Sequence, residues 1–306
     1  MKIATTTSDY KFGCKNDIER IRELHRAGFR YVDLNMYRFT PDCDYMSDDW
    51  RAAVRALKDE ADRLGMTFVQ AHSQGGNPIK QNDEERVKFI LDATIRSIEI
   101  CALLGIKNTV AHPGMRRGIG KDEWFELNRD FYKKLFPVME ATGVNVLTEN
   151  STAVNLGDKY FANTGKDMRD FLEFVGHPQL HACWDTGHGN CEGFSQYEQI
   201  TTLGDHLYAI HYNDNQGEKD QHVMPYFGTL NHDEIINALI DINYKGYFTL
   251  ECDSSLVPSN YWLYDRREFG RDTRLAEPPL FMRRKLEELH YETAKYILSQ
   301  YGLFEE

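Results

Sequence analysis

The sequence predicts an α/β protein, specifically a (β/α)8 TIM barrel, on three observations. Short apolar runs alternate with helical segments eight times over, and that alternation implies a parallel sheet. The 306 residues suit one closed barrel of eight units better than an open sheet. Six of the apolar runs end on an acid or a histidine, and barrels place their chemistry at the C-terminal ends of strands.

The elements follow in order. Residues 2–7 are the first strand. Residues 16–27 carry Ile18, Ile21 and Leu24 at helical spacing, and Gly28 stops them. Residues 31–36 are the second strand. Residues 47–64 predict a helix with Ser47 as N-cap and Gly65 at its end. Residues 67–73 are the third strand. In 83–104, Val87, Ile90, Leu91, Ile95, Ile98 and Ala102 share one helical face, and Gly105 ends it. Residues 108–113 are the fourth strand. Residues 121–142 predict one helix, followed by Gly143 and a fifth strand ending at Glu149. Helices at 165–175, 195–203 and 233–242 separate strands that end at Asp185, at His211 and, over 247–252, at the eighth strand. Residues 279–301 hold a last helix.

No linker divides the chain, so 1–306 reads as a single TIM-barrel domain with a C-terminal extension at about 254–306. Its first part, 254–279, is long for a loop and rich in Tyr, Arg and Asp. Such a segment suits a lid, a partner surface or local disorder.

Composition excludes several classes. There are 48 acidic against 36 basic residues, a net charge of -12. Nucleic-acid binders show a basic face, and Arg116-Arg117 is a short basic cluster rather than a basic stripe, so no nucleic acid is expected. No apolar run approaches the ~20 residues of a membrane helix, so no membrane partner is expected. Met1-Lys2-Ile3-Ala4 leads straight into a strand, and no secretory signal is visible. The six cysteines include no Cys-x-x-Cys pair. They read as reduced thiols of a cytoplasmic protein. Cys183 shares a strand face with Asp185 and reads as a small apolar filler. A homo-oligomer is compatible with all of this.

The candidate site lies at the strand ends. Glu149, Asp185, His211 and Glu251 are three carboxylates and one imidazole on consecutive strands at matching depth. Carboxylates gathered that closely repel one another unless a cation sits among them. Oxygen ligands with one nitrogen suit one divalent ion: Mn, Zn, Co or Fe. His72, His112, His188, Asp220 and His222 form a second tier, expected to contact substrate or orient the ligands. His177, His181, His206 and His232 lie outside the pattern and read as surface or packing residues.

Five short motifs carry a family resemblance. They are Ala111-His112-Pro113-Gly114, Thr148-Glu149-Asn150, Trp184-Asp185-Thr186-Gly187-His188, His211-Tyr212-Asn213-Asp214 and Leu250-Glu251. Over roughly 1–253 the chain resembles the xylose isomerase-like barrels. These include sugar and sugar-phosphate isomerases and epimerases, and the endonuclease IV proteins. The resemblance implies that Glu149 and Glu251 bind the metal and also move protons as the catalytic pair. It implies that Asp185 and His211 complete the metal site and that His188 touches substrate. Ketose 3-epimerases of this family carry an arginine shortly after the metal-binding histidine, and residues 213–219 hold none. The endonuclease IV pattern of three zincs is matched in type by His72, His112, Glu149, Asp185, His188, His211, Asp220, His222 and Glu251.

The expected function is a divalent-metal-dependent sugar or sugar-phosphate isomerase or epimerase. Proton transfer would pass through a metal-bound enediolate, with a sugar or polyol as the small-molecule partner. The alternatives are an endonuclease IV-like multi-metal phosphoester hydrolase, an inosose-type dehydratase, and a barrel that keeps its ligands but serves only as a binding scaffold.

Overall fold

In the computed structural model, residues 1–157, 160–259, 261, 267 and 270–306 are described. Eight strands line up as β1 (Ile3–Thr6), β2 (Tyr31–Asn35), β3 (Thr67–His72), β4 (Asn108–Val110), β5 (Asn145–Glu149), β6 (Leu180–Asp185), β7 (Leu207–His211) and β8 (Phe248–Leu250). Between and after them run α1 (Asp17–Arg26), α2 (Trp50–Leu64), α3 (Glu84–Leu104), α4 (Lys121–Lys133), α5 (Phe136–Thr142) and α6 (Ala153–Leu156). The remaining helices are α7 (Gly165–Val175), α8 (Thr186–Glu192), α9 (Gln196–Leu203), α10 (His232–Asp241) and α11 (Leu280–Gln300).

The strands pair in parallel in the order β7-β6-β5-β4-β3-β2-β1-β8. Tyr212, one residue past β7, brings the ends together. Its N–H donates to the Thr249 carbonyl at 2.7 Å, and Glu251 N–H donates to its carbonyl at 3.1 Å. The result is a nearly closed TIM barrel with helices between the strands.

Several local expectations meet their physical causes. Asn16 caps α1 by accepting from Glu19 N at 3.0 Å. Gly65 ends α2 in the left-handed conformation, φ +64°, which only glycine adopts without cost. Ser47 is not the cap of α2. Its hydroxyl donates to the Asp44 carbonyl at 2.7 Å and closes a 3-10 turn at Asp44–Met46. The single helix expected over 121–142 is two, because Pro137 opens α5 and has no N–H to continue α4. The short elements went unforeseen: 3-10 turns at Thr7–Tyr10, Asp44–Met46 and Gly204–His206, and the short helices α6 and α8.

The expected C-terminal extension contains α11, which packs on α1, β1 and β8. Of the stretch expected as a lid, residues 260, 262–266, 268 and 269 lie outside the described residues. Among those described, no helix is long and apolar enough to cross a membrane.

Burial separates two cores. The larger lies between helices and strands and includes Ile21, Val54, Leu57, Trp124, Phe171 and Ile236. A small one fills the barrel interior: Val110, Leu147, Cys183 and Ala209. Each of these four stands two residues before His112, Glu149, Asp185 and His211, on the same strand face and one layer deeper. The corresponding positions on the other half of the ring are polar: Asp33, Gln70 and Thr249, all buried.

This interior layer supports the polar mouth. Leu147→Ala would leave a hole under Glu149 that neighbouring strands, tied by their ladders, cannot fill. A loss of ~2–5 kcal/mol is expected. Chemical denaturation reads it; an unchanged midpoint would show that the interior layer does not support the barrel.

Candidate metal centre and active site

Period-two alternation decides which side chains enter the mouth. His72, Glu149, Asp185 and His211 are the last residues of β3, β5, β6 and β7. His112 lies two residues beyond β4, and Glu251 one beyond β8. Except for His112, all are buried. His188 comes from α8, and Asp220 and His222 from the loop between β7 and α10.

Glu149, Asp185, His211 and Glu251 form one set whose ligand atoms lie within 4.8 Å of one another. The His211 ring stands at its centre. Nδ1 is 2.5 Å from Glu149 Oε1 and 3.3 Å from Glu251 Oε2. Nε2 points the other way, 2.8 Å from the Gln70 amide and 3.6 Å from Asp33 Oδ2. A ligand imidazole is commonly held by a polar group on its far nitrogen. Asp33 and Gln70 are placed to do this across the barrel.

Asp185 has two uses. Its Oδ1 accepts from His188 N at 2.6 Å and caps α8. Its Oδ2 accepts from Asn213 Nδ2 at 2.7 Å. Asn150 holds the same residue from behind, accepting from Asp185 N at 2.6 Å and donating to its carbonyl at 2.9 Å. Gly187 is required here, since a β-carbon would meet Asn213 Oδ1 at 1.9 Å.

The second tier divides into two smaller groups. His72 and His112 join Glu149; His188 and His222 join Asp185. His72 Nε2 and His112 Nε2 are 3.0 Å apart. His188 Nε2 and His222 Nε2 each lie 3.1 Å from a different oxygen of Asp220. In three of these histidines the Nδ1–H donates to a backbone carbonyl: His72 to Ser73 at 3.0 Å, His188 to Asn150 at 2.8 Å, His222 to Glu251 at 3.1 Å. That bond aims Nε2 into the mouth. His181, by contrast, stacks on Tyr208, and His232 sits 2.6 Å from the Tyr212 hydroxyl, away from this set.

The charges pull against burial. Burial pushes Glu149 up, but His211 and His112 outweigh it and hold the carboxyl well below its ordinary range. Burial pushes Glu251 up to about 7, aided by Glu149 and Asp185 and opposed by His211 and His222. Burial lowers His112 to about 3, so it is neutral. Burial also opposes a charge on His188, yet Asp185 and Asp220 raise it to about 10. Burial disfavours the charged form of His211 too, and Cys183, Glu251 and Glu149 raise it well above its ordinary value nonetheless.

A divalent ion fits this donor set. Among the described residues, the ion pairs of Glu149, Asp185 and Glu251 are all to histidines, none to lysine or arginine. Three buried carboxylates and an imidazole are an oxygen-rich donor set with one nitrogen, of the kind that a divalent cation accepts. A pocket of about 520 Å³ opens above them, within the range of small-molecule sites. Ser8, Lys11, Tyr37 and Arg38 line one side, and Met115, Asn155, Leu156 and Tyr160 the other.

Sequence reasoning missed Asp33 and Gln70, and quoted Asn150 and Asn213 without giving them work. Asp33 had a readable signal, an acid between Val32 and Leu34 in the middle of an apolar strand. Gln70 had the same signal in β3.

Metal binding must displace protons from this site. Glu251, raised to about 7, and His211, raised well above its ordinary value, each hold a proton below those ranges. Affinity should therefore fall as pH falls through 7, roughly tenfold per unit for each proton released. Titrations with Mn²⁺ or Zn²⁺ at pH 6, 7 and 8 in two buffers of different ionisation heat would show it. Affinity flat across that range would remove His211 and Glu251 from the ligand set. Gly187→Ala should weaken binding by displacing Asn213 from Asp185, with the fold retained by circular dichroism.

Comparison with known proteins places the chain. A family model described as xylose isomerase-like TIM barrel matches residues 21–273. A probable endonuclease 4 from Citrifermentans bemidjiense is 24% identical over 197 residues, covering 56% of this chain and 65% of that protein. A crystal structure of D-psicose 3-epimerase in the presence of D-fructose superposes with a TM-score of 0.73 at 16% identity, covering 97% of this chain and 99% of that one. The structure of IolI protein with a binding zinc atom gives 0.73 at 16% identity, covering 100% of both chains. At these identities the structural likeness speaks for the fold alone. With the family model spanning most of its length, the chain belongs to the xylose isomerase-like TIM barrel family.

Proposed function

We propose that the protein is a divalent-metal-dependent isomerase or epimerase acting on a sugar, sugar phosphate or related polyol. Glu149, Asp185, His211 and Glu251 would hold the ion. When bound, it would supply Lewis-acid polarisation of a carbonyl.

The observation that carries this reading is the pair Glu149 and Glu251. They reach the same nitrogen of His211 from strands three places apart in the ring. Their environments also push them in opposite directions, one well below the carboxylate range and one to about 7. Carboxyls separated in this way can serve as base and acid in one site. One would take the proton from the carbon beside the carbonyl, and the other would return a proton. His188, charged and fixed by Asn150 and Asp220, would hold the oxygen that gains negative charge. Neutral His112 would position a hydroxyl. Tyr37, Leu156 and Tyr160 would narrow the mouth against water. Residues 213–219 lack the arginine of ketose 3-epimerases, so the reading stops short of a free ketohexose. Family membership and the sugar epimerases among proteins of this fold support it.

Isotope exchange tests the reaction. Mn²⁺-loaded protein is offered a panel of 2-ketoses, free and phosphorylated, in D₂O. An accepted sugar should gain deuterium at the carbon next to the carbonyl. Glu149→Gln and Glu251→Gln should each cut turnover by ~10²–10⁴-fold, far more than they cut metal content. Conversion without solvent label would overturn the two-carboxylate proposal.

The two smaller groups, His72–His112–Glu149 and Asp185–His188–His222, favour a second reading, a multi-metal phosphoester hydrolase. Metal count separates the two. One ion per chain supports the isomerase. Three ions, with abasic-DNA incision lost in Glu149→Gln, would put the hydrolase first. With a net charge of -12, tight DNA binding at physiological salt is not expected.

A further inference from the structure

The loop between β7 and α10, residues 212–231, brings Asp220 and His222 to the wall of the pocket. It contains no helix and no strand beyond isolated bridges, so its order must come from another source. Two of its residues also adopt the left-handed backbone that side chains disfavour: His222 at φ +46° and Tyr226 at φ +73°. Such conformations persist only where the surroundings over-determine them.

Those surroundings converge on Asp214, the last residue of the motif His211-Tyr212-Asn213-Asp214. Asp214 is completely buried, and no lysine or arginine pairs with it among the described residues. Its oxygens accept four backbone N–H groups instead. Oδ1 takes those of Asn215 at 2.8 Å and Leu230 at 3.0 Å. Oδ2 takes those of Tyr226 and Gly228, each at 3.0 Å. The main chain adds a second tie. Asp214 N–H donates to the Val223 carbonyl at 2.9 Å, and Val223 N–H donates back at 3.0 Å. The loop is thus gripped directly after His222 and again at 226–230. Gly228 is part of the fit, since a β-carbon there would meet the Asn215 carbonyl oxygen at 2.1 Å and Asp214 Oδ1 at 2.2 Å.

The grip places functional groups. His222 Nδ1–H donates to the Glu251 carbonyl at 3.1 Å, and the His222 carbonyl accepts from Ser254 N at 3.2 Å. His222 Nε2 and His188 Nε2 each lie 3.1 Å from Asp220, on different oxygens. Asn155 donates to Asp220 Oδ2 at 2.7 Å. If Val223 left Asp214, His222 would be drawn out of these contacts.

We propose that Asp214 is a positioning residue of the site: by gathering the N–H groups of 226–230 and bridging to Val223, it sets Asp220 and His222 at the mouth. This rests on the reading above in one respect, that these two residues face the substrate. Removing one oxygen acceptor would strand buried N–H groups that have no other partner within the loop, and buried donors left unpaired are costly.

The experiment uses the intact Zn²⁺-loaded protein and needs no substrate. Isotope-labelled histidines report, by NMR, the ring N–H groups held in hydrogen bonds. The Nδ1–H signals of His222 and His72 are assigned by their loss in His222→Gln and His72→Gln. Asp214→Asn turns an amide NH₂ toward the N–H groups it should accept, and Gly228→Ala crowds the same carboxyl. In either variant, folded by circular dichroism, the His222 signal should be lost. The His72 signal, held by the Ser73 carbonyl outside this loop, should remain. A role in general stability alone would lower the melting temperature and leave both signals in place. Retention of the His222 signal in a folded variant, or loss of both signals together, would overturn the proposal. Wild type provides a second measurement that does not depend on the variants folding. The amides of Tyr226, Gly228 and Leu230 should exchange with solvent at least ~10²-fold more slowly than in an unfolded chain, although Tyr226 is exposed. Exchange near the unfolded rate would equally overturn it. Neither readout involves turnover, so a failed positioning role and a failed assignment of the reaction are told apart.

Discussion

Burying three carboxylates at the mouth of a barrel is the constraint on which the rest of this structure depends. A carboxylate out of water is costly unless it is paired and hydrogen-bonded. Here the partners are histidines rather than lysines or arginines. An imidazole gives up its proton to a competing cation far more readily than a guanidinium does. The site is therefore stable when proton-filled and remains open to a metal. Glu149 illustrates the balance, with His72, His112 and His211 all against it at 3.6, 3.1 and 2.5 Å.

The surrounding polar groups follow from that arrangement. An imidazole is a useful partner only if its ring is held in one orientation. Ser73, Asn150 and Glu251 do this with backbone carbonyls. Asn150 and Asn213 fix Asp185 in the same way. One layer down, the interior divides by side. Under β4 to β7 it is apolar. Under β2, β3 and β8 it stays polar, because His211 reaches across the axis and its far nitrogen needs company from Asp33 and Gln70.

The alternation of strand and helix was legible because each strand is buried on both faces and each helix on one, so the periods differ. The strand-end acids and histidines were legible for the same reason: a polar residue ending an apolar run needs an explanation. The capping of α2 was not, because Ser47 closes a local turn that precedes the helix. Neither was the break at Pro137, where the apolar spacing continues across two helices. Asp33 and Gln70 were hidden by their depth. A polar residue inside a strand reads as an exposed face until a partner on a distant strand is known, and His211 lies on β7 while they lie on β2 and β3.

The seam of the barrel sets Glu251 and Glu149 in different backbone surroundings. β5 is held on both sides by regular ladders. β8 has a ladder to β1 but meets the other edge only through Tyr212. Glu251 is tied to that edge by its N–H, which the Tyr212 carbonyl accepts, and its own carbonyl accepts from His222. Tyr212 is itself pinned by its ring, 4.3 Å from Phe248, and by its hydroxyl against His232. At the seam Glu251 is the more exposed of the two, 9% against 1%, and it faces Glu149 and Asp185 with less compensation. Its raised protonation range comes first from burial and then from Glu149 and Asp185 facing it, against the opposing pull of His211 and His222.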